Sequence, residues 1–251
     1  MSWDEFWQSV SAEEYIAKST LHDRLLIKYL SELLARISGP PGDSARTILE
    51  IGCVYSKNLR QLPQAAGSKT VFLGLDSCKG PTLETGRLNP HLNVHVIVGD
   101  LFKPPLPETR IDLIISFGLI EHFPDPHKFL EACWSLLRPG GRLVVGYPSF
   151  IGLTGLIQRL VNPRTFDHHF SLSAEQMLSR IAYFGFSEVE SCYFGTFNPN
   201  MINWGSGWIR RMLMYSAFIL ILPIEWTARL TGRQFSSKRF SSYVLATGIK
   251  P

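Results

Sequence analysis

Ile48-Leu-Glu-Ile-Gly-Cys-Val-Tyr-Ser56 is the stretch of sequence that decides the fold, because a short apolar run contains an acidic residue and ends at a glycine. Runs of this kind, rich in Val, Ile and Leu, are typical of β-strands covered on both faces. They recur at Thr47–Ile51, Val71–Leu75, Val94–Val98, Ile111–Ser116 and Leu143–Tyr147. The segments between them are long enough for crossover helices. The pattern therefore predicts a doubly wound α/β fold, with a mostly parallel sheet and helices on both faces.

The sequence on either side of this core predicts further elements. Ser11-Ala-Glu-Glu14 has the spacing of a capping box, and leucines at helical intervals follow it as far as Leu34. We expect the aromatic residues Trp3, Phe6 and Trp7 to fold back over the sheet or the site. After the core, the pattern predicts one helix and two strands, at Ala174–Tyr183, Ser187–Phe194 and Tyr243–Ile249.

These elements predict four parts along the chain. They are a helical cap (1–45), an α/β core (46–194), an apolar and basic insertion that forms a helical lid (195–240), and a terminal strand of the core sheet (241–251).

The formal net charge of +4 is unevenly distributed. Residues 1–207 hold 18 Lys and Arg against 20 Asp and Glu, whereas residues 208–251 hold seven against one. This basic end also contains the most apolar run, Met212–Ile224, whose 13 residues are fewer than the roughly 20 needed to cross a bilayer. We expect a buried helix here, with an interfacial helix flanked by basic residues as the alternative.

The four cysteines, Cys53, Cys78, Cys133 and Cys192, form no C-x-x-C pair. The sequence therefore predicts neither a disulfide framework nor a zinc ribbon, and it suits a reducing compartment. The N-terminal segment lacks the basic and apolar regions of a secretory signal peptide. We expect a cytoplasmic protein, with peripheral contact at the inner face of a membrane left open through residues 208–240.

Acidic residues mark the ends of three successive predicted strands. Glu50 lies two positions before Gly52, Asp76 ends the second strand, and Asp100 follows the third. Ligands of α/β proteins bind at the carboxyl edge of the sheet, where a glycine allows close approach of the backbone. A carboxylate at the second strand end can accept both hydroxyls of a ribose, and one at the third can accept from an adenine amino group. The spacing predicts a nucleoside site.

At these residues the sequence resembles a family, the class I S-adenosylmethionine-dependent methyltransferases that act on small molecules. The matching motifs, in order, are Leu49-Glu-Ile-Gly-Cys53, Gly74-Leu-Asp76, Gly99-Asp100, Ile111-Asp-Leu-Ile-Ile-Ser-Phe-Gly-Leu-Ile-Glu-His122 and Leu136-Leu-Arg-Pro-Gly-Gly141. The resemblance covers about residues 45 to 195 and the terminal strand. It implies a seven-stranded sheet whose last strand is antiparallel and lies beside the sixth, and S-adenosylmethionine as the cofactor.

The resemblance also implies which positions contact the cofactor. They are Glu50, Gly52, Cys53, Asp76, Ser77, Asp100, Leu101, Ser116 and Phe117. One departure concerns the glycine motif, because Val54 and Ser56 stand where the family has its second and third glycines. Val54 could crowd the methionine end of the cofactor, and a positive φ there would be costly. Ser56 could instead cap the next helix.

Transfer of a methyl group to an acidic hydroxyl needs a base. His122 follows the fourth strand, and His168 and His169 follow the fifth; a positioned histidine removes a proton near neutral pH. The resemblance favours His169, although any of the three could be structural. Tyr147 at the end of the fifth strand could line the acceptor pocket or lie in the core.

A metal site is the alternative use of the same histidines. Relatives with the pattern E-x-x-E-H bind a divalent ion through both glutamates, that histidine and a later one. Here Gly118 occupies the first acidic position, leaving Glu121, His122 and His168. We expect no metal.

These observations predict a methyltransferase acting on a small molecule, with O-methylation favoured. The apolar and basic insertion favours an acceptor with a greasy part or a phosphate, such as a glycan, a lipid-linked compound or a secondary metabolite. The alternative is a catalytically inactive or repurposed member that acts as a binding or regulatory partner. A dehydrogenase is excluded because G-x-G-x-x-G is missing after the first strand. Nucleic acid is not expected as a partner, since the basic charge is confined to the last segment; the oligomeric state is open.

Overall fold

The structure is a computed structural model that describes residues 3–17, 20–38, 45–66, 68–167, 169–205, 207–231 and 235–251, without the side chains of residues 37, 38, 225, 228 and 229. The strands are β1 (Arg46–Ile51), β2 (Thr70–Asp76), β3 (Val94–Val98), β4 (Ile111–Phe117), β5 (Leu137–Pro148), β6 (Ser187–Phe194) and β7 (Tyr243–Ile249). The helices are α1 (Trp3–Gln8), α2 (Ala12–Ala17), α3 (Leu21–Ser38), α4 (Lys57–Gln61), α5 (Lys79–Leu88), α6 (His127–Leu136), α7 (Leu153–Val161), α8 (Pro163–Asp167), α9 (Ala174–Phe184) and α10 (Trp208–Thr231).

The seven strands form one sheet in the order β3-β2-β1-β4-β5-β7-β6. β1 pairs in parallel with β2 on one side and with β4 on the other, and β2 pairs in parallel with β3. The chain therefore reverses its direction of travel across the sheet between β1 and β4, which is the position where α/β sheets bind ligands. The predicted fold class is confirmed, as is the place of β7 beside β6.

Strand β5 begins earlier than the apolar run Leu143–Tyr147 predicts. The preceding Arg138-Pro-Gly-Gly141 segment is drawn into the strand because it pairs with the end of the chain. Gly140 donates from its backbone N–H to the carbonyl of Lys250 at 2.7 Å, and Lys250 donates back to Gly141 at 2.9 Å. Gly140 has a φ of 75°, a conformation that favours glycine.

The chain divides into two compact units. Unit 1 comprises residues 1–117, 127–144 and 249–251, and unit 2 comprises residues 118–126 and 145–248. Unit 1 buries the apolar residues of β1, β2 and β4, together with Leu30 and Leu34 of α3. The predicted four-part division of the chain stays a prediction.

Helix α10 corrects the expectation that the run Met212–Ile224 is a buried helix. Ile221 is buried, and it packs with Phe197, Ile202 and Trp204, with Met214 and Ala217 alongside. Most of the other described apolar side chains of α10 are exposed: Trp208, Ile209, Met212, Leu213, Tyr215, Ile219, Leu220, Leu222 and Trp226. The helix is apolar nearly all round but packs along one side only, so the other side faces outward.

Across the described residues, no helix combines the length and the apolar character needed to span a bilayer.

Candidate active site

The acidic tip of β1 is held inside unit 1 by the start of α4. Glu50 is buried, and its Oε2 accepts a hydrogen bond from Ser56 Oγ at 2.5 Å while its Oε1 accepts from Asn58 Nδ2 at 2.8 Å. Burial raises the pKa of Glu50 to about 7, and the hydrogen bonds from Ser56 and Asn58 oppose that rise. The carboxyl group therefore fixes the loop that follows β1, and its predicted contact with the cofactor stays a prediction.

The altered glycine loop keeps a compact turn without straining its valine. Gly52 has a φ of 80°, and Tyr55 rather than Val54 takes the second left-handed position, at a φ of 50°. The backbone N–H of Tyr55 donates to Thr85 Oγ1 at 2.7 Å, which secures that conformation. Ser56 caps α4, as the sequence suggested, since its Oγ accepts from the backbone N–H of Leu59 at 3.0 Å.

The N-terminal helices cover this loop within unit 1. Val54, Tyr55 and Cys78 form a buried cluster, against which Trp7 and other residues of α1 and α2 pack. The ring centroids of Trp7 and Tyr55 lie 5.9 Å apart in an edge-to-face arrangement. The side chain of Val54 thus points into an apolar cluster. Of the three aromatic residues expected to fold back over the sheet or the site, Trp7 packs on this loop, whereas Trp3 and Phe6 are 53% and 42% exposed.

Asp76 occupies the end of β2, beside β1. Its Oδ1 accepts from the backbone N–H of Cys78 at 2.9 Å, and burial raises the pKa of its carboxyl group. Ser77 is exposed next to it, and Cys53 is fully buried. Burial raises the pKa of Cys53 well above its ordinary value and that of Cys78 to about 12. Both thiols stay protonated at neutral pH, so they act as packing groups.

Two further strand ends complete the predicted set in unit 1. Asp100 after β3 is exposed, and its Oδ1 accepts from the backbone N–H of Phe102 at 2.9 Å, while Leu101 between them is buried. Ser116 at the end of β4 is 1% exposed, and among the described residues nothing hydrogen-bonds its Oγ. Phe117, which follows it, is half-buried.

These residues fit a nucleoside cofactor. The glycine with positive φ, the half-buried carboxyl of Asp76 and the orphaned hydroxyl of Ser116 belong to three adjacent strands of unit 1. A buried hydroxyl without a partner is costly, so a polar ligand atom that reached Ser116 would remove that cost.

A second polar cluster lies in unit 2 and contains Glu121, His122 and His169. The ring centroids of His122 and His169 are 4.8 Å apart. The carbonyl of Glu121 accepts from the backbone N–H of Phe170 at 2.8 Å, which ties the segment after β4 to the segment after α8. Phe150 contacts His169 edge-on, with centroids 4.9 Å apart. Two of the three predicted histidines are thus brought together; His168 lies outside the described residues.

The hydrogen bonding of His169 fixes its tautomer. Nδ1 lies 2.6 Å from the carbonyl oxygen of Thr165. A carbonyl can only accept, so Nδ1 carries the proton and Nε2 of the neutral ring carries the lone pair. That is the form needed by a general base or a metal ligand.

Glu121 is the group in this cluster that the sequence analysis considered only as a metal ligand. Its side chain is 3% exposed, and Oε2 has no hydrogen-bond partner in the part of the chain that the structure describes. Burial raises its pKa to about 8, so the carboxyl is largely protonated at neutral pH. Ligand atoms of Glu121, His122 and His169 lie within 4.8 Å of one another, so these three residues, with His169 in place of His168, could hold a metal ion.

Tyr147 lies in the core of unit 2. It is 1% exposed, and its hydroxyl donates to the carbonyl of Ser173 at 3.4 Å. Burial raises its pKa far above the ordinary value. Of the two interpretations left open by the sequence, this environment favours the core.

Unit 2 also contains a cavity of about 500 Å³ beneath the second half of α10. The side chains that the structure describes around it are predominantly apolar and uncharged: Thr196, Phe197, Ile221, Pro223, Ile224, Thr227, Phe235, Ser236, Ser237 and Phe240. A cavity of this size and composition suits an apolar group of a small molecule.

Sequence reasoning missed Asn58 and Thr85, which hold Glu50 and Tyr55. The position of Asn58, two residues after a helix-capping serine, could have indicated that it lies near Glu50. Nothing in the sequence indicated the role of Thr85, because its partner Tyr55 is 30 residues away along the chain. The cavity was also missed, since three separate segments of the chain enclose it.

Known proteins are similar to this chain over the part that contains the predicted cofactor residues. The methyltransferase domain family matches residues 49–145. A probable S-adenosylmethionine-dependent methyltransferase of Mycolicibacterium smegmatis is 28% identical over 147 residues, which are 59% of this chain and 54% of that protein. The ubiquinone biosynthesis O-methyltransferase of Cupriavidus pinatubonensis is 25% identical over 45% of each chain. The chain thus spans about half the length of these curated relatives.

Among solved structures, an S-adenosylmethionine-dependent methyltransferase from Thermotoga maritima superposes with a TM-score of 0.60. The match covers 100% of both chains at 18% sequence identity. At this identity the likeness concerns the fold.

Proposed function

We propose that this chain, which belongs to the class I S-adenosylmethionine-dependent methyltransferase family, transfers a methyl group to a hydroxyl oxygen of a small molecule with an apolar part. The observation that supports it most is the row of polar strand ends in unit 1, with Gly52 at a φ of 80° and Asp76 half-buried beside it. When bound, S-adenosylmethionine would supply a methyl group on a positively charged sulfur.

Several residues of unit 1 are each assigned one part of the cofactor. Asp76 is assigned the ribose hydroxyls, because its carboxylate at the end of β2 can accept both hydrogen bonds. Asp100 is assigned the adenine amino group, and Ser116 is assigned a polar atom of the cofactor. The Gly52–Ser56 loop, fixed through Glu50, provides backbone N–H groups and a close approach. Much of the catalysis of an in-line displacement comes from such positioning.

His169 is assigned the proton of the acceptor hydroxyl. Nε2 of His169 would accept the hydroxyl proton of the acceptor, while its Nδ1–H remains bonded to the Thr165 carbonyl. The resulting imidazolium lies against His122, with the two ring centroids 4.8 Å apart. Glu121 can neutralise this charge by ionising, since its pKa of about 8 lies close to neutral pH.

The cavity beneath α10 supports an acceptor with an apolar part. Its walls include Phe197, Ile221 and Phe240, and the lining side chains that are described carry no charge, so an isoprenoid, acyl or aromatic group would bury there against apolar surface. The name of one relative, a ubiquinone biosynthesis O-methyltransferase, supports both the oxygen acceptor and the apolar part. Lipid-linked compounds are thus preferred over soluble glycans.

Two measurements on the whole chain test this proposal. Calorimetry with S-adenosylmethionine and with its demethylated product should show binding of both. Methyl transfer should then be detected to a phenol bearing a prenyl chain, and more weakly to the same phenol without it. Binding without transfer to either phenol would leave the cofactor assignment intact and overturn the acceptor class.

A repurposed, non-catalytic protein is the second candidate. The observation that favours it is that both oxygens of Glu50 already accept hydrogen bonds from Ser56 and Asn58. Folded protein that bound neither form of the cofactor in calorimetry would support this candidate and contradict the enzymatic one.

A further inference from the structure

Helix α10 presents an apolar stripe along its outer side. We define the stripe as the residues spaced three or four apart from one end of the helix to the other: Trp208, Met212, Tyr215, Ile219, Leu222, Trp226 and Leu230. At 100° per residue all seven lie within about 80° of arc on one side of an α-helix. The stripe is exposed along its whole length, with Trp208 at 72%, Ile219 at 65% and Leu230 at 77%.

The stripe is distinct from the side of α10 that packs within unit 2. Ile221, Met214 and Ala217 face the buried cluster with Trp204, and they lie about half a turn around the helix from Ile219. The outer residues therefore contribute little to the fold. A continuous exposed apolar surface of this length is a mark of an interaction site rather than of a soluble surface.

The charge around the stripe identifies what covers it. Arg210 and Arg211 are exposed in its first turn and Arg239 is exposed beyond its end. In the sequence, residues 208–251 hold seven basic residues and a single acidic one. A second copy of the chain would bring the same positive charge to the contact, whereas an anionic lipid surface brings the opposite charge.

The aromatic residues point to the same partner. Trp208, Tyr215 and Trp226 occupy the stripe near its start, its middle and its end. Tryptophan and tyrosine favour the boundary between headgroups and acyl chains, because one end of each side chain is apolar and the other forms hydrogen bonds. A helix with apolar and aromatic residues on one side and arginines beside them lies in the plane of this boundary.

We propose that α10 binds flat on an anionic lipid bilayer, with the stripe among the acyl chains and Arg211, which flanks the stripe about 60° around the helix from its centre, against the headgroups. This binding is independent of methyl transfer, because it requires neither the cofactor loop nor His169. It would bring the cavity beneath α10, lined from the other side of the same helix by Ile221 and Thr227, to the surface where lipid-linked acceptors lie.

Co-sedimentation of the full chain with vesicles tests the proposal. The protein should sediment with phosphatidylcholine vesicles that contain phosphatidylglycerol and much less with phosphatidylcholine alone. Replacing Ile219, Trp226 and Leu230 together by serine should abolish the binding. The control replaces Leu92 and Tyr183, which are 98% and 90% exposed and do not belong to α10, by serine and should bind as the wild type does.

A charge variant separates the two parts of the interaction. Arg211→Gln should weaken binding to the anionic vesicles by about fivefold, the equivalent of about 1 kcal/mol. Circular dichroism and the affinity for S-adenosylmethionine should be the same in all variants. Equal binding of the wild type and the stripe variant to vesicles would overturn the proposal. The proposal would also be overturned if light scattering showed a dimer for the wild type and a monomer for the stripe variant, since a second copy would then cover the helix.

Discussion

Ser56 Oγ donates a hydrogen bond to Oε2 of Glu50 at 2.5 Å, and Ser56 Oγ itself accepts one from the backbone N–H of Leu59 at 3.0 Å. Ser56 stands where the family's motif has its third glycine, so the departure in sequence adds two hydrogen bonds that a glycine cannot make. It joins the tip of β1 to the first turn of α4. The loop is rebuilt around a serine, with Tyr55 in the left-handed conformation.

Ser56→Ala should lower the free energy of unfolding by about 2 kcal/mol. The loss combines a helix cap, worth about 1 kcal/mol, with a buried carboxyl that loses one donor. Chemical denaturation measures it, with Ser68→Ala at an exposed position of unit 1 as the control. A change below about 0.5 kcal/mol would mean that water replaces the hydroxyl at Glu50.

Asp76→Asn should weaken binding of S-adenosylmethionine by about 1.5–3 kcal/mol, because charge-assisted hydrogen bonds to the ribose are lost. Calorimetry measures the affinity directly. Asp125→Asn, which removes a surface carboxylate from unit 2, is the matched control and should leave the affinity unchanged. If the Asp76 variant bound as tightly as the control, the ribose assignment would be wrong.

His169→Ala should reduce turnover by roughly 100- to 10,000-fold, the usual contribution of a general base, and leave the affinity for the cofactor nearly intact. Initial rates with a phenolic acceptor and calorimetry provide the two readouts. His122→Ala, one ring away, should have the smaller effect on turnover. The opposite order would transfer the role of base to His122.

Glu121 should make the free energy of unfolding depend on pH. Its pKa is about 8 in the folded protein and 4.5 ordinarily, so between these values the folded chain holds a proton that the unfolded chain has released. The free energy of unfolding therefore falls as the pH rises through this window, by at most about 1.4 kcal/mol per pH unit. Glu50, with a pKa of about 7, contributes in the same direction over a narrower window.

Glu121→Gln removes the titration of this group and keeps its shape. Denaturation at several pH values should show a smaller loss of stability with rising pH than in the wild type. Glu131→Gln, at an exposed position of α6, serves as the control. Parallel profiles for wild type and Glu121→Gln would show that the buried carboxyl is compensated by a group such as a metal ion.

Thr227→Trp should fill part of the cavity beneath α10. Thr227 lines it, and its side chain is exposed enough to accept a larger residue. We expect a higher KM for acceptors with a long apolar chain and an unchanged KM for the same headgroup without the chain, because only the former needs the cavity. Steady-state kinetics with the two acceptors measures the difference. An equal effect on both would indicate that the cavity does not receive the chain.

Much of the fold follows from local pattern. Short Val, Ile and Leu runs predicted five of the seven strands, β1 to β5, since a strand buried on both faces has few alternatives at that length. The acidic strand ends followed from the same pattern, because the carboxyl ends of parallel strands meet at one edge. The early start of β5 did not, since it depends on pairing between Gly140 and Lys250 at the far end of the chain.

The sequence by itself determined the α/β class, the order of the cofactor motifs and the resemblance to the methyltransferases, because these depend on residue type and spacing along the chain. Only the tertiary structure decided that His122 and His169 share a cluster with a buried Glu121, that Ser56 binds Glu50, and that α10 turns an apolar side outward. The physical reason is the same in each case. Burial, proton affinity and exposure depend on which segments pack together, and distant parts of the chain decide that.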